Sequence, residues 1–486
     1  MAVIILLAYA TNLINIKNYK TKYMKQIKFY TLALAAGITI FASCKKSGSG
    51  NNVSTLQKQV GSLITSDSLC GAIKGTLQTG KTYSLTCPVT INAGDTVLMQ
   101  SGVTINVVNP AAYILVQGSF ISLGTKATPN WITVSSITKQ DNASTANGPS
   151  TDPAFTSPKL WLGIQCDSTC PLMVMKWTHV EFAGGTFGTT PPISSLSAGA
   201  LAWPLYFKNA NGYCIVEDSW FYGSTDDVTR FAGGKIYFVR NTVEKQGYIG
   251  GDCFNAKHGT VGIMAYNMFI GTATNGTKAS DKGSSTAPTC QIDMFNNTYV
   301  DGGYRQQQTG RGGDLNYEQG AFGQAYNNLI VNCKFGFRIV GNPIADTAHC
   351  HYGYNYSYGD ADSIVDQFYP VGYISYPEAT NMPSPSFLPS GYVLGATYDA
   401  PSLVGANNPL FVNYTLGSSA NININYATGF DFHLQSNSPA LGKGYIGWSP
   451  MSIAGLPIDP SFGATTLVAP GKDIGCYQAD GTGNAH

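Results

Sequence analysis

An asparagine that returns once every few dozen residues, always just ahead of a short apolar or hydroxyl-bearing step, constrains this chain more than any other feature. It stands in VRNTV (239–243), AYNMFI (265–270), MFNNTYV (294–300), AYNNLIV (325–331) and GYNYSY (353–358), and VEDSWF (216–221) offers an aspartate in its place. The aligned positions are Asp218, Asn241, Asn267, Asn297, Asn328 and Asn355. Subtracting neighbours gives separations of 23, 26, 30, 31 and 27 residues. An uneven period of that size marks stacked structural repeats. Each repeat holds short β-type runs (KIYFVRN, TVGIMAYN, CQIDMFNN) broken by Gly, Asn and Asp, and no helical periodicity lies between them. Strands that recur without helices fit neither βαβ units nor long hairpins. They fit coils that each wind once and stack in parallel. An asparagine buried alone costs free energy, but a column of them, each donating its amide to the next, supplies the missing partners. Such an Asn is also expected to take the left-handed conformation at its corner. Asn275 lies outside the column and reads as a surface residue.

The column resembles the asparagine ladders of right-handed parallel β-helix proteins. The likeness covers most of the chain from about residue 80. DDVTRFAGGKIYFVRN (226–241) and GDCFNAKHGTVGIMAYN (251–267) look like coils of Bacteroidetes-type β-helix repeat lipoproteins in the pectate-lyase-like superfamily, without matching one enzyme family. NNPLFVN (407–413), FDFHLQSNSPALGKG (430–444) and DIGCYQ (473–478) look like the closing segment of secreted members. The resemblance implies an all-β chain: a single-stranded right-handed parallel β-helix over 81–400, closed by 401–486. A β-sandwich or propeller would also use Asn and Gly at turns, but would not place one Asn per coil.

The N-terminus reads as an export device. Residues 29–43 form an uncharged run behind Lys25 and Lys28, too short for the ~20 residues of a membrane span. They predict a signal peptide over 1–43, with Met24 the more natural start. Ser43 before Cys44 resembles the lipobox of bacterial lipoproteins, which implies lipidation of Cys44, a tether over 44–52 and an outer-membrane address, periplasmic or cell-surface. Val53, Leu56, Val60, Leu63 and Ile64 follow helical spacing and predict a short capping helix within 53–80. Removing 1–43 deletes five lysines and no acid, so the formal charge falls from +1 to −4. That balance sets nucleic acid aside as a partner. Setting Cys44 aside, ten cysteines remain, an even number that suits disulfides in an oxidising compartment. Cys70 could pair with Cys87 and Cys166 with Cys170, while Cys253, Cys290 and Cys333 could be small core residues on successive coils.

Exported β-helices of this look meet polysaccharides along one face, and four groups of residues bear on that chemistry. Asp227, Asp252 and Asp314 recur at comparable places in their coils, and could hold Ca2+ through oxygen ligands. Arg230, Lys257 and Arg311 nearby offer a base and a cation, the needs of a uronate lyase. The bland reading is that each Asp caps its own turn. Asp226–Asp227, His258 and Arg338–Ile339 follow the order of β-helix polygalacturonases, but Lys257 stands where that pattern has Gly, and Val340 where it has Lys. His349 and His351 could chelate a metal from one strand face. Tyr352, Tyr354, Tyr356 and Tyr358 alternate with small residues, and in an unbroken strand would present four rings outward for sugar stacking. Polysaccharide is thus the expected ligand, a lyase is favoured over a hydrolase if the chain is an enzyme, and an adhesion or scaffold protein is the competing class.

Overall fold

The computed structural model describes residues 60–140, 152–282, 288–306, 308, 311–340, 343–361, 364, 405, 408–416 and 429–486. Cys44 and the predicted signal peptide and tether therefore lie outside the described residues.

The stack is a parallel β-helix with three faces. The first face is a ten-stranded parallel sheet running from Gly75–Leu77 to His351–Gly353. The second and third faces form one 19-stranded assembly because the long strand Thr82–Ile91 pairs with both Thr104–Val107 and Ile114–Val116. A middle coil illustrates the plan: Gly234–Val239 on the first face, Thr242–Gln246 on the second and Asp252–Ala256 on the third. Each pairs in parallel with its counterpart one coil on, at Thr260–Ala265, Met268–Ile270 and Asn275–Ser280. Inward-facing Val, Ile, Phe and Met from all three faces make one continuous core.

The ladder sits at the corner between the first and second faces. Nδ2 of Asn241 donates to Oδ1 of Asn267 at 3.0 Å, Asn267 to Asn297 at 3.0 Å, Asn297 to Asn328 at 2.9 Å and Asn328 to Asn355 at 2.9 Å. Each amide also reaches the carbonyl of the next-to-last residue in the first-face strand of the coil before, such as Phe238 for Asn267. Two expectations need correction. Ser219, not Asp218, continues the column, its backbone N–H donating to Asn241 Oδ1. The left-handed residue is the one before the ladder position: Trp177, Asp218, Arg240, Tyr266, Asn296, Asn327 and Tyr354 all have φ between 48° and 62°. Turning the corner at that residue aims the next side chain inward. Its own side chain points out, so its identity is free to vary.

The ends also differ from expectation. Residues 60–64 run extended, with Leu63 bridging Thr76 in parallel, and 53–59 fall outside the described residues. Cys70 and Cys87 form a disulfide between neighbouring strands. Cys166 and Cys170 are free thiols buried in the core, as are Cys253, Cys290 and Cys333. Residues 440–486 add no coil. They descend the outside of the stack from Tyr445 at Asn327 to Pro460 at Lys176. They then climb from Thr465 at Glu217 to Gly475 at Asn327, and descend again to Asn484 at Asn241. Among the described residues, the hydrogen bonds of this strap to the coils go to the first two faces and the corner between them. It covers the outward side chains there, including Tyr237, Phe295, Leu329 and Tyr356.

Candidate functional site

The third face carries the charged cluster, and register decides who meets whom. Tyr206, Arg230, Asn255, Lys278, Asn316 and Arg338 are Cα partners from coil to coil and form one outward row. Asp252 aligns with Asn275 and then Gly313 in the adjacent row, and Asp227 lies one coil before Asp252.

Stacked carboxylates a strand spacing apart repel, so something must stand between them. Here it is a web of donors. Asn255 Nδ2 bridges Asp227 (2.7 Å) and Asp252 (2.9 Å). Arg230 pairs with Asp227 at 3.0 Å and Lys278 with Asp252 at 2.6 Å. Asn275 donates to Asp252 at 2.5 Å and accepts from Asn316 at 2.7 Å, so Asn275 is buried rather than a surface residue. Each carboxylate is thus met by nitrogen donors. Among the described residues no group of three or more His, Cys, Asp or Glu stands together to hold a metal. The donor set does not fit the expected Ca2+, which takes six or more oxygen ligands.

Asp314 is not in the row. Register puts it one residue beyond the place equivalent to Asp252, and a one-residue offset turns a strand side chain to the other side. It is fully buried, both its carboxyl oxygens lack a hydrogen-bond partner among the described residues, and burial raises the carboxyl to about 7. Arg311 is exposed in the 301–312 connection and acts electrostatically on Arg338. Lys257 lies in the turn after Asp252–Ala256. Burial, then the neighbouring Lys278, lowers its ammonium to about 8, while Asp252 opposes the shift.

The sequence reading gave no role to Trp203, which completes the cluster. Its indole Nε1 donates to Asp226 Oδ2 at 3.3 Å. Its ring stacks on Tyr206 at 5.2 Å, and the Arg230 guanidinium lies 4.8 Å from its centroid. Burial, then Asp227 and Asp252, raises the Asp226 carboxyl to about 7. Trp203 arrives on an insertion, so no period announces it. Most coils join the second face to the third in a few residues, as at 225–228 and 271–274. Two successive coils use long connections instead, 134–163 and 182–204; residues 153–156 of the first pack on the second-face strands Trp220–Ser224 and Thr242–Gln246, and the second packs against the third face. The first contains the four-residue helix Pro153–Thr156, N-capped by Asp152. Between them lies a cavity of about 450 Å³.

The four tyrosines do not form a stacking face. The chain turns the ladder corner at Tyr354–Asn355, which breaks the alternation. Tyr352 faces the core against Phe337, at 4.6 Å. Tyr354 stacks on Tyr445 of the strap at 4.8 Å. Tyr356 and Tyr358 face out from the second face but are buried with the strap's apolar residues. His349 lies in a turn with Nδ1 2.7 Å from Asp346, separate from His351 on the following strand.

The arrangement offers an aromatic ring, three partly open cations and a carboxyl poised to hold a proton near neutrality. No family model, no curated protein and no solved structure matches the chain.

Proposed function

We propose that the chain is an exported, lipid-anchored outer-membrane protein whose third face binds acidic polysaccharide. The observation that carries this reading is the cluster Trp203, Asp226, Arg230, Lys257 and Lys278, standing together on the face that the strap leaves aside. Sugar rings stack on indole faces, and a cation beside the ring meets a uronate carboxylate. A second reading, β-elimination, is favoured by Lys257. An amine lowered to about 8 has a neutral fraction near neutral pH and can take the proton beside a uronate carboxylate.

The pH dependence follows from the carboxyl. Asp226 is raised to about 7, so it is neutral below that value and adds a negative charge above it. Affinity for a polyuronate is therefore expected to be highest below pH 7 and to fall as pH rises through 7. Asp226→Asn should hold the low-pH affinity through pH 7 and lose it only where Lys257, lowered to about 8, gives up its charge, and Arg230→Ala should weaken binding at every pH. The same sign governs folding: a raised carboxyl contributes stability that is complete below its unfolded value of about 4 and is lost as pH rises through 7. Calorimetric titration with a polyuronate at pH 5.5, 7 and 8.5 checks this. A flat profile for wild type, or one unmoved by Asp226→Asn, removes Asp226 from the site. Silence across acidic and neutral glycans alike would favour a scaffold or adhesion protein.

The anchor has its own test. Cys44→Ala is expected to move the protein from the membrane to the soluble fraction and to abolish labelling by a fatty-acid probe. Membrane retention without label would assign the anchorage elsewhere.

A further inference from the structure

The cavity between the two insertions differs in character from the charged row beside it. Its lining includes Pro110, Pro158 and half-buried Leu201 as apolar surface and Ser157, Thr186 and Thr225 as hydroxyls, with no charged side chain. Its volume of about 450 Å³ lies within the range of small-ligand sites. The walls are built rather than incidental. Thr225 Oγ1 donates to the Phe155 carbonyl at 3.2 Å, tying the first insertion to a coil. Gly184 and Gly185 donate their N–H groups to the Trp161 carbonyl at 2.9 and 3.0 Å, tying the second insertion to the first. No larger residue fits these two places. A Cβ on Gly185 would stand 2.4 Å from the Leu160 carbonyl, and Gly184 has φ +116° with a Cβ 2.6 Å from the Thr225 nitrogen. The cavity is also continuous in sequence with the charged cluster at two points, Leu201 to Trp203 and Thr225 to Asp226.

We propose that this cavity receives a neutral pyranose bearing a methyl group, either a 6-deoxyhexose or an O-acetylated hexose, carried by the same glycan that lies on the third face. The inference rests on the third-face reading for the rest of that glycan. No cation lines the cavity to pair with a carboxylate, so a neutral sugar suits it better than a uronate. Hydroxyl groups at the wall fix the orientation of a sugar, and Pro110, Pro158 and Leu201 give a methyl group an apolar seat. The bound glycan is therefore mixed, with a neutral methyl-bearing residue next to an acidic stretch.

The test uses the full folded chain and the methyl glycosides of fucose, rhamnose and an O-acetylated galactose, with galactose and galacturonate as references. Saturation-transfer NMR should place the sugar methyl against the Leu201 side chain. Affinity should exceed that of galactose about tenfold, the worth of one well-seated methyl group. Deoxy and acetyl sugars are compared side by side, and the tighter binder identifies the source of the methyl. Leu201→Trp fills the cavity and should abolish this binding while polyuronate binding persists with its dependence on Arg230. Thr225→Val, which keeps the volume, should weaken it without unfolding the chain. Polyuronate binding without any methyl-sugar binding would overturn the cavity assignment and leave the third-face reading intact. Methyl-sugar binding unchanged in both variants would likewise overturn it. Failure of every glycan to bind would overturn both.

Discussion

Asn297→Ala is expected to destabilise the stack by about 2–4 kcal/mol. Asn297 Oδ1 accepts from both the backbone N–H and the side-chain Nδ2 of Asn267, at 2.9 and 3.0 Å. Its own Nδ2 donates to the Met264 carbonyl at 3.2 Å and to Asn328 Oδ1 at 2.9 Å. Alanine orphans two donors of Asn267 and one carbonyl, all in the interior where water does not reach. Asn328→Ala should behave alike, because it sits in the same geometry between Asn297 and Asn355. Asn211→Ala, in an exposed turn, is the reference and should stay within about 0.5 kcal/mol. Thermal melting followed by circular dichroism reads the difference. Coils contact only their neighbours, so hydrogen exchange should accelerate first around 264–300. Equal melting temperatures for the three variants would show that the ladder bonds do not hold the corner.

Arg305→Ala should cost about 3 kcal/mol or more. The side chain is buried in the corner between the second and third faces. It donates to the carbonyls of Gln246, Gly247 (2.8 Å) and Gly271 (2.7 Å), which belong to two successive coils. Burial lowers its guanidinium to about 10, so it stays charged at neutral pH. The fork of donors holds three carbonyls that the turn leaves outside the ladders, and its plane lies 5.0 Å from the Phe155 ring. Lysine cannot reproduce a planar fork, so Arg305→Lys should recover little. Arg311→Ala, exposed in the same connection, is the matched control. Because Phe155 lines the cavity, Arg305→Ala should also weaken methyl-sugar binding at temperatures where the stack remains folded. Melting no lower than that of Arg311→Ala would mean these bonds contribute nothing net.

Much of the fold was legible because the ladder is a one-dimensional device. An inward amide at one corner of every coil must recur in the sequence, and Asn241, Asn267, Asn297, Asn328 and Asn355 do. The pairing of Cys70 with Cys87 was likewise within reach of short-range reasoning. What failed was any inference that carried strand alternation through a corner. Tyr352 to Tyr358 alternate on paper, but the turn at Tyr354 resets inside and outside. Asp314 recurs at a plausible distance, yet stands one residue out of register and points to the interior. Period alone cannot resolve a single residue when the coils themselves vary between 23 and 31.

The sequence by itself determined a stack of parallel coils, because hydrogen-bonding needs at the ladder corner repeat locally and leave their mark on every coil. Only the tertiary structure decided which face is available and what gathers on it. The strap buries the outer side of the first face and much of the second through contacts across more than a hundred residues, such as Asn327 with Tyr445. The insertion 182–204 brings Trp203 onto Asp226 and Arg230. Contacts of that kind depend on where a non-repeating segment is laid over the finished stack. No local period records them, because each is made once.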